Sequence, residues 1–388
     1  MTTTLTIGIQ GKGSTTVEDL GIVAALMESR TGIKLQPRME DSVLPRLDWL
    51  HRGEIDLFYE GSSAVVYMEG KRPEEIERWR GPFPMQIVAS AHSGFSGFIV
   101  RADSPIRTIY DIGPETRLAT SPMASETIFG LLAWLKLNKG PIPENPREGQ
   151  WNAKLVSFPT WEANLRSVPD GTADVAMVTV ENPLVKQAAL RPPGIRFLDL
   201  PVKADPEGAR RYRSVNDHGI LAPVLEYGVK EAWGVTCQTG TACVWCRPEF
   251  DVPLAYKLTR WLDENYDLFK DKGNKLRTYD RKAMRWTFDV AMAPVHAGTV
   301  QYFREIGMWA PADDARHEYN QKLMDWYCEV WKQALGEADR RGVTVSAASK
   351  QWLELWATRK READLPHYRQ MTDAEIKDGL ALLQRRGR

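Results

Sequence analysis

Nothing in this sequence is built to span a bilayer, because its 388 residues contain no run of about 18 apolar side chains. Charge of one sign is missing too. Lys plus Arg number 51 and Asp plus Glu 51, so no global field gathers a polyanion, and nucleic acid is excluded as the first class of partner. The opening MTTTLTIGIQ enters an alternating strand at once, with neither a basic n-region nor an apolar h-region. As the chain stands, this predicts a cytoplasmic location, or a periplasmic one where a signal peptide has been removed. Cysteine is sparse, at four residues, three of them being Cys237, Cys243 and Cys246. The last two spell CVWC, but TACVWC reads as a strand, where residues three apart face opposite ways. With no second Cys-x-x-Cys and no His pair at ligand spacing, no metal is expected, and these cysteines read as small apolar packers. A nucleophile motif such as G-x-S-x-G and a cofactor fingerprint are both absent, so no cofactor is expected.

What is present is alternation. The length exceeds the usual ceiling for one core, which predicts two domains or one domain split into lobes. From Leu5 to about Asp199, short β-rich runs (LTIGI, IKLQPR, IDLFY, GFIVR, RLAT, AKLVSF, DVAMVTV, IRFLDL) alternate with helical stretches, the pattern of an open α/β sheet. Helices are predicted over Val17 to Ser29, with Leu20, Val23, Ala24 and Met27 on one face, and over Glu126 to Leu137, with Ile128, Leu131, Leu132 and Leu135. The Pro/Gly-rich NKGPIPENPREGQ is a loop. After Asp251 the chain turns helical and Trp-rich, and the capping-box signal Thr372 to Glu375 opens a final helix.

Two loops carry chemistry. GIQGKGSTT (8–16) and ATSPMASET (119–127) each join a strand to a helix and offer small residues and backbone N–H groups where a helix N-terminus favours an anion. Neither is a nucleotide motif: Gly11 to Thr16 lacks the third glycine of the dinucleotide fingerprint, and Lys12 is out of the Walker frame. PVHAGTVQYFREIG (294–307) sets His296 at the approach to an amphipathic helix, with Val300, Phe303 and Ile306 as its stripe. A structural role, with His296 bonding backbone to pin the turn, is the expected one.

The order of the first loop, GIKLQ, DSV, RGEIDLFYEGSSAVVYMEG, GFIVRADSPIRTIYDI, LATSPMASET, PDGTADVAMVTVENP and PVHAGTVQYFREIG resembles the TAXI family of extracytoplasmic receptors for TRAP transporters, over roughly residues 5–307. The resemblance implies an α/β, two-lobed periplasmic-binding-protein-like fold (type II) closing over a small carboxylate, with a TRAP transporter membrane subunit as partner. On this pattern residues 1–103 plus 239–310 form lobe one and 104–238 lobe two, since GFIVR leads out and TACVWC offers the return crossing. Residues 311–388 form a C-terminal helical extension on lobe one, with Trp326, Trp331, Trp352 and Trp356 spaced for packing; a docking or oligomer surface is the alternative.

Carried over by position, Gly13, Ser14 and Thr15 match the first-loop Gly-Gly-Thr, and Ser125 and Thr127 match the second-loop Ser and Thr. Asn182 with Pro183 matches the turn of lobe two, and Ser42 with Val43 the start of the helix after the second strand. Lys12 or Arg101 would add a cation, and Tyr227 or Trp233 would shape the specificity wall. The chain departs from the pattern at Thr16, where the family usually has Tyr, and at Ala297, which replaces the turn proline. The expected function is therefore a solute-binding protein for a small organic carboxylate. The competing expectation is a cytoplasmic, cofactor-independent enzyme on the same scaffold, a decarboxylase or other lyase acting on a small, possibly aromatic carboxylate, with His51, His92, Glu60 and His218 as acid/base candidates.

Overall fold

The computed structural model describes residues 3–10, 15–40, 42–70, 75–121, 125–143, 146–216, 219–224, 226, 228–273 and 275–385. The fold is mixed α/β and divides into two units, Met1–Ser93 with Thr241–Arg388 (unit 1) and Gly94–Gly240 (unit 2). The chain passes between them within two strands, β4 (Gln86–Arg101) and β10 (Thr236–Cys246), so the divisions fall at 93/94 and 240/241 rather than at 103/104 and 238/239.

Unit 1 begins with β1 (Thr3–Ile9), α1 (Thr15–Thr31), β2 (Ile33–Met39), α2 (Val43–His51) and β3 (Leu57–Gly61), followed by a 3-10 run over Ser62–Glu69. β1 pairs in parallel with β2 and β3, and β3 pairs antiparallel with the C-terminal half of β10, Ala242 opposite Gly61 and Cys246 opposite Leu57. Alternation along each strand feeds two apolar layers. On β10, Cys243 and Trp245 pack in one layer while Val244 and Cys246 pack in the other. Each thiol is therefore a buried packer on its own face, and burial pushes that of Cys243 up to about 12. In α1, Val23 and Met27 are buried and Leu20 packs beside them, as the helical stripe requires.

Unit 2 contains β5 (Arg117–Thr120), α3 (Ser125–Trp134), β6 (Lys154–Ser157), α4 (Trp161–Ser167), β7 (Ala176–Thr179), α5 (Pro183–Leu190), β8 (Ile195–Leu198), α6 (Pro206–Arg213) and β9 (Ile220–Pro223). β7 and β8 pair antiparallel with the C-terminal half of β4, β9 pairs antiparallel with the N-terminal half of β10, and β5 runs parallel to β6. α3 stops three residues short of the predicted Leu137. Lys136 takes φ 57°, its N–H bonds Ala133 O, and the Leu137 N–H bonds Leu132 O, a Schellman closure that leaves Leu132 buried.

The rest of unit 1 is helical: α7 (Val252–Glu264), α8 (Tyr266–Phe269), α9 (Arg281–Asp289), α10 (Ala297–Glu305), α11 (Pro311–Arg341), α12 (Lys350–Ala363) and α13 (Asp373–Arg385). α7 and α10 cover one layer with α1, while α11, α12 and α13 cover the other with α2. Trp326, Trp331, Trp352 and Trp356 are all buried there, so the extension is an integral part of the core. The capping box opening α13 is formed, with the Thr372 N–H donating to Glu375 Oε2 at 2.8 Å and the Glu375 N–H donating to Thr372 Oγ1 at 3.3 Å. No helix of the described residues is long and apolar enough to cross a membrane.

Candidate anion site

The His-x-Gly turn is structural. His296 is the N-cap of α10; its Nδ1 accepts from the Gly298 N–H at 3.2 Å and its Nε2 lies 3.0 Å from Phe250 O. A ring that accepts at Nδ1 and faces a carbonyl at Nε2 is neutral with its proton on Nε2, and burial lowers its pKa accordingly. His51, His92 and His317 are lowered by burial as well. In the unfolded chain these rings take protons near pH 6.5; the folded chain resists until lower pH. Below about pH 6.5 the unfolded state thus binds more protons, and stability present above that value is lost as pH falls. The urea midpoint is expected to drop between pH 7.5 and 5.5, and less steeply in His296→Asn, whose amide oxygen still accepts the cap bond. Equal slopes in the two proteins would remove His296 from this account.

In unit 2, a polar cluster gathers where α3 begins. Thr127, in the first turn of α3 and 4% exposed, donates from Oγ1 to Gln238 Oε1 at 3.2 Å. The same Oε1 takes Asn216 Nδ2 at 2.7 Å and the Tyr212 hydroxyl. One amide oxygen thereby collects three donors from α3, α6 and the segment after it. Burial drives the Tyr212 hydroxyl pKa far above its usual value, so it stays a donor. Gln238 is half-buried on β10, and its Nε2 donates to no group among the described residues. Ser121, the residue after β5, is 4% exposed with an Oγ that has no partner among the described residues. Asn216 Oδ1 is a buried acceptor without a partner among the described residues, so the unspent groups are two donors and one acceptor. An excess of donors at a helix N-terminus, with no carboxylate in the cluster, accepts negative charge.

The residues predicted from sequence fall into distinct groups. Lys12, Gly13, Ser14, Tyr227 and His218 lie outside the described residues, as do the side chains of Thr15 and Ser125. Thr127 belongs to the cluster, but its proton is spent on Gln238, making it a scaffold for that amide. Arg101 is exposed and forks onto Asp103 at 2.9 Å, so its charge is already neutralised two residues along the chain. Asn182 caps α5, its side chain accepting from the Leu184 N–H at 2.9 Å. Ser42 precedes α2 without a side-chain cap bond, and its carbonyl accepts from Arg46. Trp233 is 38% exposed, with Lys230 5.9 Å from its ring.

The three acid/base candidates among the described residues each have a local occupation. Glu60 pairs with Arg46 at 2.8 Å, His51 stacks on Phe83 at 4.4 Å and His92 stacks on Trp286 at 4.0 Å. Sequence reasoning missed Ser121, Tyr212, Asn216 and Gln238. The available signal was Gln238 itself, a polar side chain inside the buried run TCQTGTACVWC.

No protein-family model matches this chain, and no curated protein matches it. Solved structures similar to it include the periplasmic aliphatic sulphonate binding protein of Escherichia coli, at 16% identity over 82% of this chain and 79% of that one, with a TM-score of 0.39. A binding protein component of an ABC phosphonate transporter from Pseudomonas aeruginosa matches at 12% identity over 100% of both chains, TM-score 0.39. The probable amino-acid ABC transporter extracellular-binding protein of Bacillus subtilis matches at 12% over 72% of this chain and 96% of that one, TM-score 0.39. Likeness at this level carries nothing about a ligand.

Proposed function

We propose that this protein is a solute-binding protein that takes a small organic anion, a carboxylate, at the N-terminal end of α3. The observation that carries the reading is the pair of unspent donors beside that helix, the buried Ser121 hydroxyl and the Gln238 amide. The separate occupations of Glu60, His51 and His92 favour binding over catalysis. The carboxylate class and a TRAP transporter membrane subunit as partner come from the sequence resemblance.

The test is calorimetric titration of short carboxylates and matched sulfonates into wild type, Ser121→Ala and Gln238→Glu. Ser121→Ala removes a bond to a charged group and is expected to weaken binding roughly ten- to a hundredfold. Gln238→Glu keeps an oxygen for Thr127, Tyr212 and Asn216 but sets a negative charge where the amide was, so binding is expected to vanish while the thermal midpoint holds. A carboxylate that binds wild type and both variants equally would move the site elsewhere. Turnover of a bound carboxylate would replace this reading with the enzymatic one.

A further inference from the structure

Unit 1 contains a pocket of about 60 Å³ between α1, the sheet and the segment after α7, walled by apolar side chains including Ile7, Val23, Met27, Leu57, Val88 and Leu258. Protein interiors close-pack, and a gap lined by such groups forfeits dispersion contacts unless something fills it. Two phenols also line it, Tyr59 and Tyr279, their hydroxyls 3.1 Å apart with Tyr279 donating. Of the two phenol protons one is spent in that bond. The other, on Tyr59, meets no acceptor among the described residues. Thr16, Asp19 and Lys275 also line the wall and are engaged with other groups, Asp19 Oδ2 accepting the Lys275 N–H at 2.9 Å.

A buried water needs two to four polar partners, and one spare proton is a poor host for it. What suits the pocket is a compact apolar body carrying a single acceptor. A cavity of roughly 150 Å³ holds benzene, with six heavy atoms, so about 60 Å³ corresponds to two or three. We infer that this pocket binds a small neutral carbonyl compound, or the ketone or ester end of a longer molecule, with its oxygen taking the free Tyr59 proton and its carbons among the aliphatic side chains. The site lies in unit 1 and is independent of the anion site in unit 2.

The experiment uses the full-length protein labelled with ¹³C at its methionine methyls, the Met27 signal being assigned by its loss in Met27→Leu. Acetaldehyde and cyclopropane, each of three heavy atoms and differing in the acceptor, are titrated separately. The expected result is a saturable shift of the Met27 methyl with both. Tyr59→Phe should weaken acetaldehyde about two- to tenfold and leave cyclopropane within twofold. Ala89→Leu, which fills the pocket from β4, should abolish both shifts; if it does not fold, Leu20→Phe fills it from α1. Non-saturable shifts in wild type, or an acetaldehyde affinity unchanged by Tyr59→Phe, would overturn the inference. Neither outcome bears on the carboxylate titrations.

Discussion

Trp352→Ala is expected to lose about 3–5 kcal/mol of folding stability, measured as a fall in the urea midpoint at constant slope. Trp352 is 0% exposed and meets Trp331 edge-on at 5.1 Å, while Trp331 meets Trp356 in the same manner at 5.0 Å. Trp356 anchors the group to the 3-10 run by donating to Glu69 O at 3.2 Å. The far side is equally tight, since a Cβ on Gly81 would come within 2.3 Å of the Trp331 ring. With the rings locked at this spacing, truncation leaves a void that neighbours cannot fill. The indole Nε1 of Trp352 has no acceptor among the described residues, so Trp352→Phe removes an orphaned donor along with volume. Its loss is expected to be about 1–2 kcal/mol, well short of the alanine variant. An alanine variant within about 0.5 kcal/mol of wild type would mean that the tail is a detachable surface layer.

The second large effect is expected at Gly298, where Gly298→Val should cost about 3 kcal/mol or more, by the same denaturation measurement. A Cβ there would sit 2.3 Å from Val252 O, 2.7 Å from Tyr256 N and 2.9 Å from Ala255 Cβ. Two of these are backbone atoms of α7 and cannot rotate away, so α10 must lift from α7 and carry Tyr302 and Phe303 out of their layer. Gly298→Ala meets the same obstruction and should show most of the loss. If both variants retain wild-type stability, the two helices separate freely and the glycine has no packing role.

The regular elements were legible because their cues are local. Each of the eight strands marked by β-rich runs is present, and the assignment of TACVWC to a strand with its cysteines on opposite faces holds because period two is enforced by burial on both sides. The first eleven residues of β4, QIVASAHSGFS, went unread because Ser, Gly and His dilute the apolar signal. β9, ILAP, was missed because it holds one β-branched residue and ends on Pro223, which weakens its strand signal. The candidate site was less visible. Gln238 meets Thr127 111 positions away and Asn216 22 positions away, and no spacing rule links them. Arg101 and Asn182 have the right chemistry for a ligand, but each finds a partner two residues along, a competition that favours the near group.

The two strand crossings divide the chain so that unit 1 is written in two installments. Unit 2 is complete once residue 240 has been synthesised, whereas unit 1 awaits the following 148 residues, 388 less 240. At roughly 5–20 residues per second, a ribosome needs about 7–30 s to supply them. Throughout that interval Leu47, Leu50, Phe58, Val65 and Met68 lack the tryptophan-bearing helices that later cover them. A nascent chain of this kind is a natural client for a chaperone that holds apolar surface, and a stop codon late in the message leaves it in that state permanently.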